Sequence, residues 1–259
     1  LLQFMKVCPI PNYYFESNFK EIRKELLKQI TLSNFNKFFI KFATSLSIQC
    51  FLNEYVYFVS EEEEENLKKL KKRIKSKIEN NQEPNDLEII CLSCYTPLHI
   101  FRWSKNIISN DNLSEILDIQ VNDYKKEKNI SKKIKSISIV KDRVSLKVKK
   151  QYEENPYPRW RNLGLSIEHK DIKQVITDIS LNVDVKRINF SNNPKILIAG
   201  CGTGQHAITT ASKYKNSIIY ALDLSLNSLA YAKRKAKEFG FNNINFIQGD
   251  LLDLKRMNK

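Results

Sequence analysis

Three glycines at alternate positions could bring the backbone close to a ligand. Gly200, Gly202 and Gly204 follow an uninterrupted apolar run, residues 196–199, and precede residues 205–213, which are typical of the start of a helix. Glycine tolerates the sharp turn that such a loop needs and lets a ligand approach the backbone closely. A strand, a glycine loop and a helix in this order aim free N–H groups at an anionic or carboxylate-bearing ligand.

Two acidic residues stand at the ends of two further apolar runs. Asp223 closes the run 218–222, nineteen residues after Gly204, and Asp250 follows the run 244–248. An acidic residue about twenty residues after a glycine loop, at the tip of the second strand, can accept hydrogen bonds from both hydroxyls of a ribose. The spacing therefore predicts a nucleoside-containing ligand.

These residues require a particular set of elements to position them. The apolar runs predict strands at 195–199, 218–222 and 244–248, the first of them buried on both faces. Helices at 205–213 and 226–239 separate the strands, and Gly240 ends the second helix. Right-handed crossovers then place the three strands side by side as parallel neighbours, in the order 3-2-1. The predicted fold class is α/β and Rossmann-like, preceded by a mainly α-helical domain.

The stretch from Lys195 to Leu254 resembles the cofactor half of a class I S-adenosylmethionine (SAM)-dependent methyltransferase. Ala199 to Gly204 match the first motif of that family, and the two aspartates match its second and third motifs. The resemblance implies that SAM is the cofactor and that a methyl group is transferred to an acceptor. It also implies that the glycine loop faces the methionine part, Asp223 holds the ribose, and Asp250 with Leu251 flanks the adenine. The cofactor-binding residues implied are Ala199, Gly200, Cys201, Gly202, Gly204, Asp223, Leu224, Asp250 and Leu251.

Two other functions compete with this interpretation. Gly202-x-Gly204-x-x-Ala207 also fits a looser dinucleotide fingerprint, which would indicate an NAD(P)-binding protein. In that pattern, however, Gly200 takes the place of the first glycine, and Gln205 then stands where a third small residue is needed. The second alternative is a non-catalytic scaffold with a nucleotide-type fold. No catalytic base is identified from the sequence.

A second informative stretch is Tyr152-Glu-Glu-Asn-Pro-Tyr-Pro-Arg-Trp160. Its two prolines predict a stiff, extended segment that is either a linker with aromatic packing or a lid over the ligand. In the lid interpretation Arg159 meets the carboxylate of SAM bidentately and joins the cofactor-binding residues. With Asn53-Glu-Tyr-Val upstream, the segment resembles a bacterial group of methyltransferases whose N-terminal regions often carry tetratricopeptide repeats.

The N-terminal part of the chain predicts helices. Asn18 is a candidate N-cap of one, Ser33 or Asn34 of a second, and Ser60 of a charged helix that begins with five glutamates. A largely buried helix is expected over residues 86–98, and a lysine-rich connector over 123–136.

The predicted domains are a helical domain at 1–135, a linker or lid at 136–162, and a SAM-binding domain at 163–259 that ends after the third strand. Such a fragment is expected to be inactive alone, with residues 196–198 at an open sheet edge.

The amino-acid composition of the chain bears on its binding partners and on its cellular compartment. The chain holds 43 basic and 29 acidic side chains, for a net charge of +14, but lysine-rich composition alone does not support nucleic acid as a partner. The methyl acceptor that the resemblance implies is not identified by the sequence, and a small molecule or a protein is expected. Cys91-x-x-Cys94 lies in an apolar run, which favours buried thiols over a metal site. No apolar run is long enough for a membrane span and no signal peptide is evident, so a cytoplasmic protein is expected.

Overall fold

The computed structural model describes residues 1–30, 36–137, 139–154, 156–166, 168–179 and 182–256. The chain divides into two compact units. The helical unit comprises Leu1–Lys125 and Pro158–Asn162, and the α/β unit comprises Lys126–Tyr157 and Leu163–Lys259. This division differs from the predicted domain boundaries at 135 and 162, since residues 126–157 belong to the α/β unit and only five residues of the predicted lid belong to the helical one.

The N-terminal region is built from α-helices of four to nineteen residues. The helices are α1 (Leu2–Met5), α2 (Tyr13–Gln29), α3 (Lys37–Leu52), α4 (Glu61–Glu79), α5 (Asp86–Ser93), α6 (Ser114–Leu117) and α7 (Asp123–Ser131). Two 3₁₀ turns, Leu98–Ile100 and Arg102–Asn106, follow α5, and a π-helical turn, Asp118–Asn122, joins α6 to α7. Among the described residues, no helix is both long enough and apolar enough to cross a membrane.

The helix starts follow from side-chain capping. The Ser60 hydroxyl oxygen accepts a hydrogen bond from the Glu63 N–H, and the Glu63 carboxylate accepts one from the Ser60 N–H, which confirms the predicted start of α4. The start predicted at Asn18 is wrong: Asn12 caps α2, and Asn18 instead donates to the Tyr14 carbonyl one turn earlier. The caps predicted at Ser33 or Asn34 lie outside the described residues.

A single apolar core holds the helical unit together. It is built from fully buried side chains of the longer helices, such as Leu46 and Ile48 of α3, Ile74 of α4, and Ile89 and Ile90 of α5. The helix expected over residues 86–98 ends at Ser93. A proline at position 97 disfavours helical geometry in the residue before it, so the chain continues as a 3₁₀ turn.

The α/β unit is built on a parallel sheet. Within the described residues it has four strands: β1 (Lys135–Ser136), β2 (Lys195–Ala199), β3 (Ile218–Asp223) and β4 (Ile244–Gln248). Their order is β1-β4-β3-β2, and all neighbours are parallel. The predicted order of the three long strands is confirmed. The two-residue β1 was not predicted, because it falls in the stretch interpreted as a lysine-rich connector.

Helices α10 (Gln205–Lys213) and α11 (Leu226–Glu238) connect the long strands. Both pack mainly on β3 and β4, the two inner strands. Strand β2 pairs only with β3 among the described residues, and Leu197 is 53% exposed while Ile198 is buried. The prediction that this strand is buried on both faces is therefore wrong, because the connecting helices do not cover it on both sides.

Two further helices complete the α/β unit. Helix α9 (Ile172–Asp178) starts at the capping residue Asp171 and buries Val175, as the helical spacing of its apolar residues predicts. Helix α8 (Arg143–Glu154) was not predicted, and it includes the first three residues of the segment interpreted as extended. Only after Glu154 does the chain leave the helix, ahead of the two prolines.

Candidate functional site

The glycine loop joins the carboxyl end of β2 to α10. Gly200, Gly202 and Gly204 all have positive φ, at 68°, 51° and 86°, a conformation that residues with a Cβ rarely adopt. Gly204 has a second constraint: a Cβ there would lie 2.5 Å from the Cβ of Ala232 in α11. At Gly200 and Gly202 a Cβ would meet nothing within 4 Å. Gly204 therefore allows two helices to approach, while the other two glycines leave open space beside the backbone.

Asp223 is the last residue of β3, and its carboxylate reaches the glycine loop. The Gly202 N–H donates to Oδ2 of Asp223 at 2.8 Å, and the Ser225 N–H donates to Oδ1 at 2.9 Å. A carboxylate has about four acceptor positions, so these two bonds leave room for hydroxyl donors. The geometry fixes the carboxylate between the loop and the N-terminus of α11.

Asp250 lies at the carboxyl end of the next strand, β4. Its side chain is buried, and Oδ1 accepts a hydrogen bond from the Leu252 N–H at 3.0 Å, which opens a 3₁₀ turn over Leu251–Arg256. The neighbouring Gly249 is closely packed, since a Cβ there would lie 2.6 Å from the Ile137 side chain. Its N–H donates to the Asp223 carbonyl at 3.0 Å, which ties the ends of β3 and β4 together.

A cavity of about 540 Å³ opens at these strand ends. Its volume falls in the range typical of small-molecule and cofactor sites. Six of the predicted cofactor-binding residues line it: Gly200, Gly202, Asp223, Leu224, Asp250 and Leu251. The structure thus brings together residues from three separate loops of the chain.

Three other predicted residues lie beside the cavity rather than in its lining. Ala199 ends β2, and Gly204 packs against α11. Cys201 donates its N–H to the Leu222 carbonyl, and its thiol is buried. Burial, and to a smaller extent the nearby Asp223 carboxylate, raises the pKa of the Cys201 thiol well above its ordinary value, so this thiol stays protonated.

Arg159 is the one predicted site residue that does not belong to the α/β unit. It belongs to the helical unit, where its guanidinium pairs with the Glu54 carboxylate and lies 4.7 Å from the centre of the Phe51 ring. Trp160, the next residue, is buried in the same unit, and the Arg161 N–H donates to the Val7 carbonyl. The end of the Tyr152–Trp160 segment is thus held by contacts within the helical unit.

Sequence reasoning missed several lining residues, including a group on α8. Val144, Val148 and Tyr152 lie four residues apart and form one stripe along that helix. The spacing was present in the sequence and could have predicted a helix with an apolar face. The remaining lining residues that were not assigned to the cofactor are Asp142, Ser145, Tyr157, Leu222, Gly249 and Leu252.

The lining of the cavity is acidic although the chain as a whole is basic. Asp142, Asp223 and Asp250 contribute three carboxyl groups, and the described lining residues include no lysine or arginine. Hydrogen bonds from the backbone N–H groups of Ser145 and Val144 lower the pKa of Asp142, which keeps it ionised at neutral pH. This charge favours a ligand with a positive group.

The comparison with protein families gives a match to the same part of the chain. Residues 196–259 match a family model described as a methyltransferase domain. No curated protein matches the chain.

Two solved structures match parts of the chain. One concerns the conversion of a disulfide bond into a thioacetal group during echinomycin biosynthesis; it is 24% identical over 43% of this chain and 42% of that one, with a TM-score of 0.27. The other is coclaurine N-methyltransferase bound to N-methylheliamine and SAH, 14% identical over 50% of this chain and 39% of that one, with a TM-score of 0.26. The chain spans less than half the length of either. The α/β unit therefore combines a Rossmann-like parallel sheet with a segment, residues 196–259, that matches a methyltransferase domain.

Proposed function

We propose that this chain takes part in SAM-dependent methyl transfer and that the cavity of the α/β unit holds SAM. The observation that carries this proposal is the charge of the cavity: three carboxyl groups line it beside an open glycine loop. At neutral pH, SAM carries a sulfonium, an ammonium and one carboxylate, and is therefore a net cation. The acidic lining suits that charge, and the loop N–H groups suit the single carboxylate.

The residues present fit the parts of SAM one by one. The free acceptor positions of the Asp223 carboxylate would take the ribose hydroxyls, and Leu224 with Leu251 would flank the adenine on its apolar faces. Gly200 and Gly202 have open space on the side where a Cβ would stand, so the methionine part can approach the backbone there.

When bound, SAM would supply an electrophilic methyl group for attack by a nucleophile of the acceptor. What the protein must contribute to such a transfer is alignment of the two reactants and exclusion of water. The hydrogen bonds from Gly202 and Ser225 to Asp223 hold the ribose-binding carboxylate in place before the ligand arrives. No residue is assigned as a general base.

The lining as a whole disfavours the dinucleotide alternative. Asp223 by itself does not separate the two ligands, because dinucleotide sites also place an acidic residue against a ribose. A pyrophosphate, however, carries two negative charges, and the described lining residues present three carboxyl groups and no lysine or arginine to pair with them. A scaffold without catalytic function has no need for a glycine loop and two aspartates that converge on one cavity. The acceptor is proposed to be a small molecule or a protein.

Calorimetric titration of the chain with SAM, S-adenosylhomocysteine (SAH) and NADH tests this proposal. We expect SAM and SAH to bind at least tenfold more tightly than NADH, because only the dinucleotide places phosphates against the carboxylates. Tighter binding of NADH would overturn the ranking, and no binding of any of the three would favour the scaffold. Transfer of tritium from methyl-labelled SAM to components of a lysate would then separate an enzyme from a SAM-binding protein.

A further inference from the structure

Helix α8 lies outside the matched residues 196–259, yet it lines the cavity along one face. Val144, Val148 and Tyr152 form this face, and they remain 68%, 37% and 38% exposed. Apolar side chains at helical spacing normally pack on a neighbouring element. Here they border the cavity instead, together with Leu251 and Leu252 from the turn after β4. The stripe is therefore available to an apolar surface of a ligand.

The C-terminal end of α8 is attached to the loop that follows β3. Both carboxylate oxygens of Glu153 accept hydrogen bonds from the first turn of α11: Oε1 from the Leu226 N–H at 2.7 Å, and Oε2 from the Asn227 N–H at 3.2 Å. The Asn227 side chain donates back to the Glu153 carbonyl at 2.6 Å. A carboxylate at a helix N-terminus also interacts favourably with the helix dipole, so an acidic side chain is favoured at this attachment.

A second contact extends the attachment to the ribose-binding aspartate. The Ser225 hydroxyl donates to the Tyr152 carbonyl at 3.0 Å, while the Ser225 N–H donates to the Asp223 carboxylate at 2.9 Å. One residue thus links the end of α8 to Asp223. The position of the α8 stripe and the position of the carboxylate depend on the same short loop.

The position of α8 indicates which end of the ligand it would contact. Its attachments are to residues 225–227, after β3, and its lining neighbours Leu251 and Leu252 come after β4. In the strand order, β3 is the neighbour of β2, which carries the glycine loop, and β4 lies one strand further from that loop. Under the proposed function, the glycine loop takes the methionine part, which leaves the nucleoside part for the ends of β3 and β4.

We propose that the apolar stripe of α8 forms one wall of a binding site for the adenine end of the cofactor, and that Glu153 is the residue that positions this wall. The proposal rests on the proposed function. A planar, uncharged base fits a wall of two valines and a tyrosine, because its faces are apolar and can stack on an aromatic ring. Glu153 itself does not touch the ligand and acts through α8 and the first turn of α11.

Two ligands that share the 5′-thioadenosine part and differ in the amino acid test the assignment. SAH contains the adenosine and the amino acid, whereas 5′-methylthioadenosine lacks the amino acid. In Glu153→Gln the side chain keeps one oxygen acceptor but loses its charge, and we expect the affinity for both ligands to fall by a similar factor, roughly three- to tenfold. The matched control is Glu154→Gln, which makes the same change at the next, exposed residue and should alter neither affinity.

A second variant addresses the wall without touching its attachment. Val148→Asn places a polar group in the stripe and should weaken both ligands by a similar factor. Leu146→Asn makes the same kind of change on the same helix at an exposed position outside the cavity lining, and should leave both affinities unchanged. Thermal unfolding of each variant is recorded in parallel, since a purely structural Glu153 would lower the melting temperature and leave the dissociation constants as they are.

The outcomes distinguish a failure of the proposed function from a failure of the α8 assignment. If the wild-type chain binds neither ligand, the proposed function fails and this inference fails with it. If the wild type binds both but Glu153→Gln and Val148→Asn retain wild-type affinity, the inference alone is overturned. A loss confined to SAH would place α8 at the amino-acid end and overturn the assignment to adenine.

Discussion

Carboxylates in the two units differ in what surrounds them. In the helical unit, Glu63 is buried and is enclosed by its own partners: the Arg23 guanidinium, the Tyr95 hydroxyl at 2.8 Å, and both the N–H and the hydroxyl of Ser60. In the α/β unit, the Asp223 carboxylate accepts two backbone N–H groups and borders a cavity. Both are hydrogen-bonded, but only the second has a side open to a ligand.

Arg23, Glu63 and Tyr95, here called the Arg23 cluster, also show why buried charge alone is a poor guide to function. Arg23 is 1% exposed, donates to the Phe58 carbonyl at 2.7 Å, and has its guanidinium carbon 4.2 Å from the centre of the Tyr95 ring. None of the residues of this cluster lines the cavity of the α/β unit. A buried ion pair enclosed by aromatic rings and carbonyls holds helices together, whereas a carboxylate beside a cavity at the ends of parallel strands is placed to bind.

The largest expected effect is on the stability of the helical unit. Arg23→Ala leaves the Glu63 carboxylate buried without its cation, and breaking such a pair typically destabilises a protein by about 3–5 kcal/mol. Chemical denaturation measures the loss, and SAH affinity of the remaining folded protein should be unchanged. Glu62→Gln, which removes an exposed partner of Lys28, is the control and should have little effect on stability. A loss of ligand affinity in Arg23→Ala at full stability would contradict the structural role.

The second effect is on binding. Asp223→Ala removes a charged acceptor from the proposed ribose site, and we expect the affinity for SAM to fall by about 1.5–3 kcal/mol, or roughly 10- to 150-fold, in calorimetric titration. Asp223→Asn keeps one oxygen acceptor and should lose less. Asp184→Asn, at an exposed turn of the same unit, is the matched control. Unchanged affinity in Asp223→Ala would mean that the carboxylate serves only the loop.

The smallest effect concerns Arg159, for which the sequence suggested a cofactor contact and the structure shows a partner in its own unit. Arg159→Lys keeps a charge for Glu54 but loses the planar group over Phe51, so we expect a destabilisation of about 1 kcal/mol and SAM affinity within twofold of wild type. The same measurement with a decarboxylated SAM analogue sharpens the result. A selective loss for SAM would restore the lid interpretation.

Local sequence patterns predicted most of the α/β unit. The long strands and their order are predicted by the apolar runs at 195–199, 218–222 and 244–248. Six lining residues of the cavity are predicted by the glycines after the first run and by Asp223 and Asp250 at the strand ends. These predictions succeed because each depends on short-range features: apolar runs, glycine conformations, and the handedness of crossovers between parallel strands.

The sequence by itself therefore determined the strand–loop–helix units and the chemistry at their ends. Only the tertiary structure decided which distant parts of each unit meet. In the α/β unit, α8 lies along the cavity, Glu153 lies at the start of α11, and β1 lies beside β4. In the helical unit, Glu54 is the partner of Arg159. Each of these pairs residues from separate parts of the chain. The physical reason is that an individual charge or apolar side chain has many acceptable partners, and chain packing in three dimensions selects among them.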